Sequence, residues 1–301
     1  MNGDIIFGTT NTDGSGSSAN LNEGNGYVVD GNIYNDHGVM VGRWENGENF
    51  ESIVIGSEEW NGADSKEVSL INTTATDILI ENFVDANIIN NSDVDTQISL
   101  MQAKRGQIDT TGGSSSDSIQ IGVKANNDVW ENMFDIKTGE GNDTVTMANV
   151  ENSKWTEFNV DLGEGNDEFD ISELDVAQRG NQTRLVDGGE GLDTLVTNGD
   201  STLEFTGMEV IVGAGDGAGS TLEVDTDLLS NNDDMGLGLI ISNIDVEMDS
   251  KLVYQAHELS AEQAAFLDQE GFDAADFVEV SVFGADGNEY TILTDDADFV
   301  A

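Results

Sequence analysis

Short runs in which apolar and polar residues alternate dominate this chain. Asp77-Ile78-Leu79-Ile80, Ile98-Ser99-Leu100-Met101, Ser118-Ile119-Gln120-Ile121 and Thr144-Val145-Thr146-Met147 each place apolar side chains on one face. That period of two is the mark of a half-buried β-strand. Similar pieces occur at 27–29, 38–41, 52–55, 68–71, 156–160 and 183–186. The pattern changes near the C-terminus. Ser260-Ala261-Glu262-Gln263 reads as a capping box opening a helix, and Gly271 stops it. Residues 277–283 and 290–294 then predict a hairpin around Ala285-Asp286-Gly287-Asn288.

A repeat organises the middle of the chain. Gly139-Glu140-Gly141-Asn142-Asp143-Thr144-Val145 recurs as Gly163-Glu164-Gly165-Asn166-Asp167-Glu168-Phe169 and as Gly188-Gly189-Glu190-Gly191-Leu192-Asp193-Thr194-Leu195. A degenerate copy, Gly112-Gly113-Ser114-Ser115-Ser116-Asp117-Ser118-Ile119, precedes them, and Gly213-Ala214-Gly215-Asp216-Gly217 is a looser echo. The four Asp positions lie 26, 24 and 26 residues apart (117, 143, 167, 193). In each copy glycines supply a tight turn, an Asp closes it, and an alternating strand follows. A unit of about 25 residues with two or three short strands has the size of one coil of a parallel β-solenoid, its coils stacked about 4.8 Å apart.

Charge sharpens the picture. Sixty Asp and Glu face ten Lys and Arg, a net charge of −50, so the compact chain repels itself and needs cations to offset it. Nucleic acid and anionic membranes are poor partners. The chain has no Cys, which excludes disulfides and thiolate metal sites, and no apolar run of the roughly 18 residues a membrane span requires. Met1-Asn2-Gly3-Asp4 lacks the basic and apolar regions of a signal peptide, so any export is expected to use another route.

The glycine–aspartate turns resemble the repeats of the RTX proteins, whose nonapeptide is Gly-Gly-x-Gly-x-Asp-x-apolar-x. Residues 188–196 match it in full; Thr138 and Leu162 replace the first Gly in two copies, and Ser115 replaces the third Gly in the copy at 112. Asp4-Ile5-Ile6-Phe7-Gly8-Thr9 is similar to the strand-and-turn phrase between such repeats. The spacing departs from the family, whose tandem nonapeptides give an 18-residue coil. The resemblance spans about residues 112–220 and implies calcium-binding turns rather than an activity. Ca²⁺ takes six to eight oxygens from carboxylates and carbonyls. The sites it implies lie between successive turns and draw on Gly112, Asp117, Gly139, Gly141, Asp143, Gly163, Gly165, Asp167, Gly189, Gly191, Asp193 and Asp216. A plain glycine turn that holds water is the alternative. The stretches at 13–16, 225–227 and 231–234 fit no EF-hand loop and read first as solvated loops.

Catalytic signatures are few. His257-Glu258-Leu259-Ser260-Ala261 is the nearest match to a zinc-protease helix, but residue 261 is Ala and His37 is the only other histidine. Cys nucleophiles are absent, and no Gly-x-Ser-x-Gly elbow has a His partner. A polysaccharide lyase or epimerase needs Lys or Arg to hold uronate carboxylates, yet Lys104-Arg105 is the only adjacent basic pair. Trp44, Trp60, Trp130 and Trp155 offer aromatic surface for sugars or, more simply, packing.

The expected architecture is all-β: a parallel solenoid with calcium-binding turns over 67–256, an N-terminal cap or inter-subunit arm over 1–66, and a C-terminal helix and hairpin over 257–301. The acidic-then-apolar ending, Asp295-Asp296-Ala297-Asp298-Phe299-Val300-Ala301, resembles that of proteins exported by type I secretion. Together these features lead us to expect a non-enzymatic structural protein, secreted to the bacterial surface or matrix, folding on Ca²⁺ and self-associating through it. A polysaccharide-active enzyme and a monomeric calcium-dependent adhesin module are the alternatives.

Overall fold

The computed structural model describes, from residue 67 on, all but 74, 82, 84, 125–131, 150–155, 175–182, 200–202, 215–219, 233–235, 297 and 300–301, with only the backbone of 67–69 and 71–73. Upstream it describes only the backbone of five strands: β1 (Ile5–Phe7), β2 (Gly26–Val29), β3 (Asn32–Asn35), β4 (Met40–Arg43) and β5 (Ser52–Gly56). The chain winds as a parallel β-solenoid of about six turns.

Successive strands alternate between two sheets. One sheet receives β6 (Glu67–Thr73), β8 (Asp85–Asn90), β10 (Arg105–Asp109), β12 (Asn132–Glu140), β14 (Thr156–Glu164), β16 (Arg184–Glu190) and β18 (Glu204–Thr206). The other receives β7 (Asp77–Glu81), β9 (Thr96–Ala103), β11 (Asp117–Val123), β13 (Thr144–Asn149), β15 (Glu168–Asp170), β17 (Thr194–Thr197), β19 (Val210–Gly213) and β21 (Leu239–Ser242). Strand β20 (Thr221–Val224) pairs with β22 (Asp245–Met248) in a small third sheet. Parallel pairing also reaches upstream of residue 67, with β5 on β7, β1 on β5 and β2 on β6.

The register explains why alternating apolar residues specify this fold. Ile78, Ile98, Ile119, Val145, Phe169, Leu195, Ile211 and Ile241 pair in one continuous column along the second sheet. Leu70, Ile88, Ile108, Ile136, Val160, Val186 and Phe205 form its counterpart across the core. All are buried in a single cluster, and Phe158 meets Phe169 edge-to-face between the sheets, centroids 5.5 Å apart. Each fully buried Ile or Leu contributes about 1.5–3 kcal/mol. A slip of one residue would turn a whole column outward, so the register is strongly specified.

Antiparallel strands close one end of each sheet. Strands β2, β3 and β4 form a meander beside β6. At the other end β25 (Glu289–Thr294) pairs parallel with β21, and β24 (Val278–Phe283) and β23 (Val253–His257) follow in antiparallel steps. The expected hairpin is therefore β24–β25. The helix is present as α2 (Ala261–Gln269), with both bonds of the Ser260–Gln263 capping box formed and Gly271 at φ +92° beyond it. It covers the outer face of the second sheet, packing Leu267 with Val210, Ile240 and Leu293. A six-residue helix, α1 (Thr226–Asn231), was not legible from periodicity.

Candidate metal centre

The repeated turns join the first sheet to the second at 140–144, 164–168 and 190–194, and they lie directly above one another. Gly139, Gly163 and Gly189 share one register column. All three adopt left-handed backbone, as do Gly141, Gly165 and Gly191. Close stacking adds a second demand for glycine: a Cβ on Gly165 would overlap the Gly141 carbonyl oxygen, and one on Gly191 that of Gly165. Gly112 belongs to a different turn, in which neither it nor Gly113 is left-handed. Asp216 lies outside the described residues, as do all four tryptophans.

The aspartates form a ladder inside the coil. The Asp117 N–H donates to Asp143 Oδ1 (2.6 Å), the Asp143 N–H to Asp167 Oδ1 (2.7 Å), and the Asp167 N–H to Asp193 Oδ1 (2.8 Å). Glu209 ends the column by accepting from the Asp193 N–H (2.8 Å), and Asp117 Oδ1 accepts from the Thr96 N–H (3.2 Å) at the other end. An outer column runs in the opposite sense. Ser116 Oγ accepts from the Asn142 N–H, Asn142 Oδ1 from the Asn166 N–H (2.9 Å), and Asn166 Oδ1 from the Leu192 N–H (3.1 Å). Neighbouring turns are thus zipped twice, by carboxylates within and by Ser and Asn outside.

Only half of each carboxylate is used. Oδ2 of Asp143, Asp167 and Asp193 is buried with no hydrogen-bond partner, in side chains 1%, 2% and 0% exposed. Burial pushes the Asp143 and Asp167 carboxyls up to about 6 and Asp193 up to about 7, opposed by the backbone N–H each accepts. Burial also raises Asp117. Such a column invites a proton or a cation. The donors suit a hard cation in kind, as carboxylate oxygen. In number they fall short of six: among the described residues no three acidic or histidine side chains gather at one point, so backbone or water must complete a Ca²⁺ shell.

No family model, curated protein or solved structure matches this chain.

Other acidic stretches have structural duties. Asp225 caps α1, accepting from the Leu228 N–H (2.9 Å). In the acidic ending, Asp295 accepts from the Ser242 hydroxyl (2.6 Å) and Asp296 from the Val246 N–H (2.7 Å), tying the hairpin to the last coil. In the Lys104-Arg105 pair, Arg105 bridges to Asp85 one coil away (3.3 Å), a surface contact worth about 1 kcal/mol or less.

The inner ladder predicts a contrast at Asp167. At pH 5, where its carboxyl holds a proton, Asp167→Ala leaves the buried Asp143 N–H without an acceptor and costs about 1–3 kcal/mol. Asp167→Asn keeps a carbonyl in that place and costs less. Urea unfolding of both variants checks this, and equal losses would remove the ladder from the stability account.

Proposed function

We propose that this chain is a secreted, calcium-binding structural protein of the bacterial surface or matrix, which folds on Ca²⁺ and self-associates. One observation carries the reading: three stacked aspartates, Asp143, Asp167 and Asp193, each bury an unpaired carboxylate oxygen in a chain of net charge −50. Ions that bind the folded chain and not the unfolded one stabilise it by mass action. Asp117, Asp143, Asp167 and Asp193 would hold Ca²⁺ together with oxygens of the glycine turns, and the ion would neutralise the column. The RTX resemblance of those turns supports calcium over other cations, and the ending at 295–301 supports type I export. Asp295 and Asp296 are engaged in the folded chain, so the exporter would read that ending before folding.

A structural role also accords with the surface. A cleft of about 860 Å³ lies between the outer face of the first sheet and α1. Its lining includes Asp161, Asp187, Glu204, Glu223 and Asp227, with Lys137 the one cation among the described residues. Such a cleft repels a uronate polymer, which weighs against the lyase or epimerase alternative.

The test is circular dichroism of the full chain titrated at neutral pH from EDTA to about 10 mM Ca²⁺, roughly tenfold above the weak end of extracellular calcium modules. The expected result is a coil-to-β transition. A spectrum already β-rich in EDTA and unmoved by Ca²⁺ would overturn the calcium reading.

A further inference from the structure

Among the described residues the solenoid's longest sheet has 13 strands, and its two edges are β1 and β23. Natural proteins guard an open edge with Lys, Pro, a bulge or a covering element. Among the described residues, strand β23 itself carries no Lys, Pro or bulge; Lys251 stands two residues before it, and the Phe299 ring meets its Tyr254 edge-to-face, centroids 5.5 Å apart, without adding a strand to its edge. All five of its residues, Val253-Tyr254-Gln255-Ala256-His257, are exposed, and its pairing with β24 is unbroken. Val253, 67% exposed, lies beside Phe283, 46% exposed, in the same register pair, so an apolar patch borders the free edge. Helix α2 packs on the sheet's face around Val210, Ile240 and Leu293.

Strand direction identifies what fits there. From β1 through β21 every pair in this sheet is parallel, and β25 continues that direction. Strand β24 reverses it and β23 reverses it again, so β23 runs the same way as the coils. A parallel strand added to β23 would therefore restart the solenoid along its own axis. Strand β1, at the opposite edge, is such a strand, already parallel to its neighbour β5.

Charge selects the same contact. Copies carrying −50 each repel one another through most surfaces. The β23 segment, residues 250–257, contains Lys251 and no acid, and residues 5–12, beginning with β1, carry no charge. Placing these edges together joins two copies end to end without setting acid against acid along the shared strands.

We infer that β23 of one copy takes up β1 of the next as a parallel strand, extending the 13-stranded sheet head-to-tail into a filament. This rests on the self-associating reading above and names its interface. The contact is heterologous, so it propagates unless a ring closes, and main-chain hydrogen bonding supplies its affinity, as in other strand additions.

Sedimentation velocity on the full chain tests it, in about 10 mM Ca²⁺ at neutral pH and in calcium-free buffer at pH 5, so that assembly is read whether or not calcium drives folding. Unaltered protein should give a series of species larger than one chain. Val253→Asp/Gln255→Asp, which changes two exposed side chains, should sediment as one chain with an unchanged β spectrum, and so should Ile6→Asp at the other edge. Mixed in equal amounts, these two variants keep one good edge each and should form two-chain species and nothing larger. A folded, unaltered protein that stays a single chain in both buffers overturns the inference and leaves the calcium reading standing. Assembly of the β23 variant to normal size overturns it as well. Loss of the calcium-induced transition, with assembly intact at pH 5, would instead sink the calcium reading alone.

Discussion

Gly165→Ala is expected to be among the most damaging single substitutions in the chain, costing about 4 kcal/mol or more, at the exceptional end of single-residue effects. Two causes add. The backbone at Gly165 has φ +144°, which L side chains rarely adopt, and the new methyl would overlap the Gly141 carbonyl oxygen in the turn of the adjacent coil. Relaxation is blocked on both sides, because the Gly165 N–H donates to Glu190 O and the Gly141 N–H to Glu164 O, each at 2.8 Å. Moving one turn therefore breaks the stack above or below. Gly287→Ala is the control: it shares the left-handed requirement, φ +87°, but a Cβ there meets nothing within 4 Å. It should lose only about 1–2 kcal/mol, the intrinsic cost of left-handed backbone for an L residue. Urea midpoints compare the two. Equal losses would mean that close stacking of the turns contributes nothing.

That contrast shows what could be read in advance. Spacing of 24–26 residues reports the coil because each repeat adds one rung to each sheet, and Gly139, Gly163 and Gly189 duly fall into one column. Alternation reports the strands because both sheets bury one face. The direction in which the aspartates point was also encoded, in parity. Asp143 stands two residues before buried Val145, Asp167 before Phe169, and Asp193 before Leu195, so each belongs to the inward face of the strand that follows. Ligand type alone does not carry this, because a carboxylate in a turn can face either way. The outer column was visible too, as Ser116, Asn142 and Asn166 immediately before the aspartates, each offering an oxygen to the next coil.

Other features carried no such signal. Glu209 closes the inner ladder only 16 residues after Asp193, off the beat of the repeat, and nothing local distinguishes it from the many other acids. Helix α1 is one short stretch held by the Asp225 cap, too brief to show a helical period. The turn at Gly112 matches the repeat in composition yet differs in conformation: Thr111 lies against Gly139 and Ser115 against Gly141, so it carries extra residues between the same two points of the stack.

In calcium-free buffer the solenoid is expected to be more stable at pH 5 than at pH 7.5, the reverse of the usual acid response of carboxylates. Asp143 and Asp167 titrate near 6 and Asp193 near 7 in the folded chain, against an ordinary value of 3.8. Between about pH 4 and 7 the folded state therefore binds more protons than the unfolded state, and stability falls as the pH rises, by up to about 1.4 kcal/mol per pH unit for each group. This contribution is fully present below the unfolded value and is lost as the pH passes 6 to 7. Residual repulsion among exposed acids acts in the same direction. On the proposed calcium reading the sign would reverse. A cation on the unpaired Oδ2 atoms would bind the deprotonated carboxylates, so protons would compete with it and stability in millimolar Ca²⁺ should rise from pH 5 to 7.5. Thermal unfolding at both pH values, with EDTA and with Ca²⁺, separates the two regimes by the sign of the change in Tm, a chain already coil in EDTA at pH 7.5 counting as the lower value. A Tm in EDTA that rises with pH would mean that the column is already ionised and paired in the folded chain, and the buried oxygens would then need neither proton nor metal.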